Sequence, residues 1–334
     1  MKLKFSFLLL MITALSVFKV CAQVDPHFSQ YYVYPSWLNP ALTGAFDGDY
    51  RVSGIYRNQW NSIGSPFSTP GASVEVTTNK NVNFGGSILN QTAGDGGYSY
   101  LTGYASAAYT GVRFGLNGNQ RIVFALQTGV INRRFNPSKF RLGDEWNPVT
   151  GYHANTSTDL PTKNKSMVFD AGAGALYYDA NPNQKANVYV GFSASHLNQP
   201  EDAFAGGTTK EKLPMRFTAH AGVKININDM WSFTPNILYL KQGTASEKMA
   251  GGYAQVKALP STDFLFGANY RFDDAISPYV GFNHNNMVIG ASYDINTSDL
   301  GKMVRGTSSF EISISFIGRK SIKTPEEHFV CPRL

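Results

Sequence analysis

The sequence predicts an all-β protein, a transmembrane antiparallel β-barrel of the outer-membrane type with about fourteen strands. Three observations lead there. Charged residues make up only 16% of the 334-residue chain and aromatics 13%, against about 25% charged residues in an ordinary soluble domain, so little charge is available to wet a conventional surface. Beyond the N-terminus no run reaches the roughly 18 apolar residues that a membrane helix requires, and mean hydropathy is slightly negative. From Tyr50 onward apolar and polar residues alternate, and a period of two sends them to opposite faces of a strand.

The chain opens with an export signal over residues 1–22. Lys2 and Lys4 form its basic end, residues 5–18 its mostly apolar core, and Val20-Cys21-Ala22 the small residues before a mature start at Gln23. Removing Lys2, Lys4 and Lys19 with it lowers the formal charge from +6 to +3, so the apparent basicity is partly the signal's and implies no nucleic-acid partner. Cys331 is then the one remaining cysteine, which excludes an intramolecular disulfide.

Residues 23–49 form an N-terminal segment dense in aromatics, Asn and Pro. Placed in the periplasm by the strand count, it acts there as a plug or a docking piece. Tyr31, Tyr32, Tyr34, Trp37 and Leu38 make an apolar cluster that needs cover, either in a barrel lumen or on a periplasmic partner. Asn39-Pro40 is a turn initiator.

The barrel is expected over residues 50–318. Its candidate strands are 50–58, 71–78, 84–91, 98–113, 121–134, 165–179, 186–198, 214–226, 230–242, 247–258, 264–272, 278–283, 287–296 and 307–318. Most approach the roughly 9–11 residues that a tilted membrane strand needs; 278–283 falls short. Alternation is clearest in four. Phe217, Ala219, Ala221, Val223 and Ile225 oppose Arg216, Thr218, His220, Lys224 and Asn226; Ile122, Phe124, Leu126 and Val130 oppose Arg121 and Gln127; Trp231, Phe233, Ile237 and Tyr239 oppose Ser232, Thr234 and Asn236; Phe310, Ile312, Ile314 and Phe316 oppose Ser309, Glu311, Ser313 and Ser315. With the N-terminus periplasmic, the four longest connections (59–70, 135–164, 199–213 and 297–306) all fall outside and the short ones inside, the usual arrangement in such barrels. Residues 319–334 return as a periplasmic tail, basic at Arg319, Lys320 and Lys323, and ending in an apolar piece suited to docking.

Nothing in the chain reads as catalytic machinery. The six histidines are scattered without metal-ligand spacing, and no serine-nucleophile motif is present. Cys331, in a terminal tail, has no preorganised base. No cofactor or enzyme activity is expected. Asp170, Arg216, Lys224 and Glu311 fall on the inner face of their strands, where they line a lumen or pair with each other.

Three blocks carry a resemblance to a known family: Asp25-Pro26, Phe28-Ser29-Gln30-Tyr31, Leu38-Asn39-Pro40-Ala41 and Gly44; then Tyr56-Arg57-Asn58-Gln59-Trp60 with Pro66-Phe67; and Cys331-Pro332-Arg333 near the end, with Leu334 where an aromatic is common. In these the chain resembles the PorP/SprF family of Bacteroidetes outer-membrane proteins, associated with type IX secretion and gliding motility. The resemblance implies a non-enzymatic accessory or scaffold, seated in outer-membrane lipid, that helps to export or retain an adhesin-like partner. It implies contacts with type IX secretion components, among them a periplasmic peptidoglycan-linked or lipoprotein component. The residues expected to make partner contacts are Phe28, Tyr31, Tyr32, Trp37, Leu38, Asn39 and Pro40, then Arg57, Gln59 and Trp60, which close the first strand with residues 59–67 at the outer rim, and Phe329, Cys331, Pro332 and Arg333 of the tail. The rival reading is an outer-membrane channel or transporter for a small solute, with the N-terminal segment as its plug.

Overall fold

The computed structural model of the protein describes residues 25–60, 66–78, 80–93, 97–139, 143–153, 164–201, 212–298 and 309–319. The signal and the tail from residue 320 onward, with Phe329, Cys331, Pro332 and Arg333, lie outside the described residues.

Fourteen strands close into an antiparallel barrel in which every strand pairs with the next along the wall. They are β1 (Tyr50–Gln59), β2 (Phe67–Val76), β3 (Val82–Ala93), β4 (Tyr98–Phe114), β5 (Gln120–Phe135), β8 (Lys165–Asp179), β9 (Ala186–Ser195), β10 (Arg216–Asn226), β11 (Trp231–Gln242), β12 (Ala245–Leu259), β13 (Thr262–Arg271), β14 (Ala275–His284), β15 (Met287–Asn296) and β16 (Ser309–Gly318). β1 and β16 close the ring over ten residue pairs, from Tyr50↔Gly318 to Gln59↔Ser309. Between β5 and β8 the long connection carries a small hairpin, β6 (Trp146–Asn147) and β7 (Gly151–Tyr152); the sequence pattern did not announce it.

The expected strand set is present, with two instructive shifts. β2 begins at Phe67 rather than at residue 71, and β14 spans Ala275–His284 rather than the short 278–283. Each shift falls at a proline. Pro70 faces Tyr56 of β1 across an intact register, while pairing with β3 lapses between Ser68 and Gly71. Pro278 faces Ala268 of β13, while pairing with β15 lapses between Ile276 and Tyr279. Proline lacks one donor, so it interrupts a ladder on one side and leaves the other intact.

The two faces sort as the alternation predicts. Val74, Ile88, Leu126, Val190, Ile237 and Ile312 point outward and are about half or more exposed, an apolar belt that water would not tolerate and lipid would. The inward set is polar and buried: Ser53, Arg57, Thr218, His220, Thr234, Glu311 and Ser313 are each under 5% exposed. Polar side chains facing an open lumen would be wetted. Their burial requires an interior filling, and the chain before β1 supplies it.

Candidate functional site

Residues 25–46 run through the lumen. Asp25 meets residues at the end of the barrel that carries the long connections, and Gly44 meets residues near the opposite end, where β1 starts. On the way the segment forms a short helix, α1 (Pro35–Leu38), and a 3-10 turn over Pro40–Leu42. Its fillers are the aromatic cluster seen in the sequence. Tyr32 lies with its ring 5.8 Å from those of Tyr253 and Tyr279, Tyr31 donates to Asn236 at 2.7 Å, and Trp37 Nε1 donates back to the Pro26 carbonyl at 2.8 Å.

Four polar anchors hold it. The first is at Asp25. Its carboxylate takes His196 Nε2 at 2.7 Å, Arg216 Nη1 at 3.0 Å and the Tyr100 hydroxyl at 3.0 Å. His196 Nδ1 lies 2.9 Å from Asp170, which also accepts from Tyr104 at 2.7 Å. A ring with a carboxylate at each nitrogen donates from both as an imidazolium. Burial works against the charge at His196, but Asp25 and Asp170 outweigh it and raise its pKa to about 9. Burial likewise opposes the Asp25 carboxylate, yet His196 and Arg216 hold its pKa far below the usual carboxylate range. The Arg216 guanidinium also sits 4.4 Å over the Trp37 ring and donates to the Trp37 carbonyl at 2.9 Å.

The second anchor grips Ser29 and Gln30. Glu311 accepts from both backbone amides, at 2.7 and 2.8 Å, and pairs with Arg57. Asp294 bridges Arg57 and Arg271, at 2.9 and 3.0 Å, and accepts from the Ser29 hydroxyl at 2.7 Å. Two arginines thus face two carboxylates, and hydrogen bonds saturate the carboxylates, which is the condition under which buried charge is tolerable.

The third anchor is Asn39. Its Oδ1 caps the 3-10 turn by accepting from Ala41 N at 2.9 Å, while its Nδ2 donates to the Ala175 carbonyl at 3.1 Å and lies 3.2 Å from His220 Nε2. The wall makes room through Gly174, where a Cβ would stand 2.1 Å from Asn39 Oδ1. We expect Gly174→Val to loosen the segment by about 1–3 kcal/mol, read as a lower Tm and faster cleavage within residues 25–46. Gly103→Ala, whose Cβ would meet nothing within 4 Å, is the control and should change neither.

The fourth anchor is Gly44, whose amide donates to Glu75 at 3.0 Å. Glu75 pairs with Arg51, whose guanidinium stands 4.5 Å over the Phe46 ring. Gly44 has φ of 76°, and a Cβ there would overlap Asn83, so only glycine fits.

Of the two places the sequence leaves open for this cluster, the segment takes the lumen: Phe28, Tyr31, Tyr32, Trp37, Leu38, Asn39 and Pro40 are buried inside the barrel. Arg57, expected as a partner contact at the end of the first strand, points inward to Asp294 and Glu311. Trp60 lies apart from it at the strand end, edge-on to Phe67 at 5.3 Å, and Gln59 beside it is half-buried. Asp294, Arg271 and His196 were missed. The first two sit on the inward face of alternating strands, beside outward Tyr293 and Tyr270, so the signal was there. His196 falls inside the expected strand 186–198, where alternation with inward Asn187, Tyr189 and Ser193 turns its ring outward; β9 stops at Ser195 instead, and the ring is free to face the lumen.

A family model described as type IX secretion system membrane protein PorP/SprF matches residues 20–316. Among solved structures, the toluene transporter TbuX of Ralstonia pickettii is 12% identical with a TM-score of 0.50, over 84% of this chain and 92% of that one. The P. putida toluene transporter TodX is 10% identical (TM-score 0.48, 85% and 93% covered), and the CymD monoaromatic hydrocarbon channel 11% identical (0.48, 87% and 93%). At such identities the likeness is one of fold alone. No curated protein matches the chain.

Proposed function

Since the chain belongs to the PorP/SprF family of type IX secretion system membrane proteins, we propose that it is a non-enzymatic outer-membrane scaffold that assists export or surface retention of an adhesin-like partner. The observation that carries this reading is the filled lumen. Beside Phe28, Trp37 and Arg216 the space between the segment and the wall measures about 20 Å³, room for about one water, which needs about 10–15 Å³. A barrel sealed by buried ion pairs offers rims and an outer wall rather than a conduit. The long-loop end faces the exported partner, and the tail, through Phe329, Cys331, Pro332 and Arg333, contacts periplasmic components of the secretion system.

Cells lacking the protein should lose the partner from their surface. Cells making a chain cut after Arg319 should insert the barrel but lose co-purification of periplasmic components. In planar bilayers the purified protein should stay silent. A robust, solute-dependent current from the intact chain would sink the scaffold reading in favour of a solute channel.

A further inference from the structure

The barrel wall is uneven at the long-loop end. β8 pairs with β5 along its whole length, from Lys165↔Arg134 to Asp179↔Gln120, but with β9 only from Ala173 to Tyr178. β9 stops at Ser195, and His196, at a left-handed φ of 59°, breaks the strand and sends its ring inward to Asp25. The residues after this turn cap a little more of the β8 edge. Leu197 N donates to the Ala171 carbonyl, and the Asn198 side chain accepts from Ala171 N at 3.1 Å and donates to the Phe169 carbonyl at 2.8 Å. These bonds show that odd-numbered residues of β8 aim their backbone groups at the β9 side, because strand backbone groups alternate between neighbours. The Phe169 N–H and the N–H and C=O of Met167 therefore point to an edge that no described residue pairs.

We propose that this edge accepts one extended segment of the exported partner as an added β-strand, apolar on its outward side and with a carboxylate opposite Lys165. The inference rests on the partner-holding role above and names its site. An unpaired strand edge is a template for a further strand, and main-chain bonds with alternate side-chain contacts are how such edges bind peptides. Met167 and Phe169 project outward from the same stretch at 63% and 60% exposure, ready to be half-covered by neighbours on an added strand. A lipid chain would cover them too, but would leave the backbone groups unpaired.

The carboxylate follows from charge. Arg134 and Lys165 are cross-strand partners on one outward face, beside a cavity of about 440 Å³ that includes Ser99 and Asn136 and no carboxylate among its lining residues. An acidic side chain opposite Lys165 would lie within cross-strand reach, about 4.5–5.5 Å between Cβ atoms.

The test uses the full chain in detergent and a fluorescent synthetic heptapeptide of alternating valine and threonine with glutamate at one end, with binding followed by anisotropy. Saturable binding is expected. Met167→Pro removes an edge-facing N–H without touching the β5 ladder and should weaken binding at least tenfold. The same peptide N-methylated at its edge-facing amides should weaken at least tenfold on the unaltered protein, so the result does not depend on the variant folding. A lysine-ended peptide should bind less well, and Lys165→Glu should restore it. No saturable binding to the wild-type chain, or binding indifferent to N-methylation as for a merely greasy surface, overturns the proposal. Failure of the scaffold role would show elsewhere, as a surface partner retained in cells that lack the protein.

Discussion

Glu311→Ala is expected to free the N-terminal segment while leaving the barrel closed. Glu311 is 1% exposed, and its two oxygens hold the amides of Ser29 and Gln30 and the Arg57 guanidinium at once. Removing one partner of a buried ion pair costs about 3–5 kcal/mol, and buried amides left without acceptors add about 1–3 kcal/mol. Asp294 still faces Arg57 at 2.9 Å, which sets the total nearer the lower figure. The loss falls on the segment because the β16 backbone ladders to β1 and β15 do not involve this side chain. Protease should cut within residues 25–46 in the native protein, and an ion current absent from wild type should appear in planar bilayers. Glu311→Gln keeps an acceptor and the volume and should show a smaller effect. If Glu311→Ala stays resistant and silent, the aromatic packing of Tyr31, Tyr32 and Trp37 holds the segment unaided and the ionic anchor is dispensable.

The wall was legible in the sequence because its physics is local. A period of two, a low charge content and connections of alternating length need no knowledge of distant residues; the expected strands beginning at 71 and 278 start too late because Pro70 and Pro278 each interrupt one ladder and leave the strand running. The filling was legible by half. The cluster from Tyr31 to Leu38 visibly needed cover, and Asp170, Arg216 and Glu311 visibly faced inward. What joined them was invisible, since Ser29 and Glu311 are 282 positions apart and nothing local pairs them. The segment's course was misread for a related reason. Strand parity places the start of β1, but not the chain before it, which doubles back through the lumen so that Asp25 reaches the opposite end. Two faint signs favoured that course: a glycine at 174 on an inward face, which makes a hollow, and a polar Ser29-Gln30 pair inside an aromatic stretch, which makes a demand for buried partners.

Raising the pH through the range from about 6.5 to about 9 is expected to weaken the Asp25 anchor. The sign follows from the direction of each shift. His196 is raised from 6.5 to about 9, so its contribution is complete below 6.5, declines as pH rises, and is lost above about 9. That displacement corresponds to on the order of 3 kcal/mol. Asp25 is shifted the other way, so its contribution is complete above its ordinary value of 3.8 and lost only in strong acid. His27, the other histidine of the segment, is pushed well below 6.5 by burial and by Arg271 and Arg57; it stays neutral through the window. The anchor is therefore strongest between about pH 4 and 6.5. Cleavage of residues 25–46 should speed up between pH 6.5 and 9 in the wild type. In His196→Ala it should be fast throughout and flat over the same range, because two carboxylates then face each other without the cation between them. His196→Lys, which restores a charge that persists to higher pH, should recover part of the resistance at pH 9. A wild-type rate that is flat across the window, or one that keeps its slope in His196→Ala, would assign the seal to the Ser29 and Asn39 anchors and leave Asp25 as a passive end of the segment.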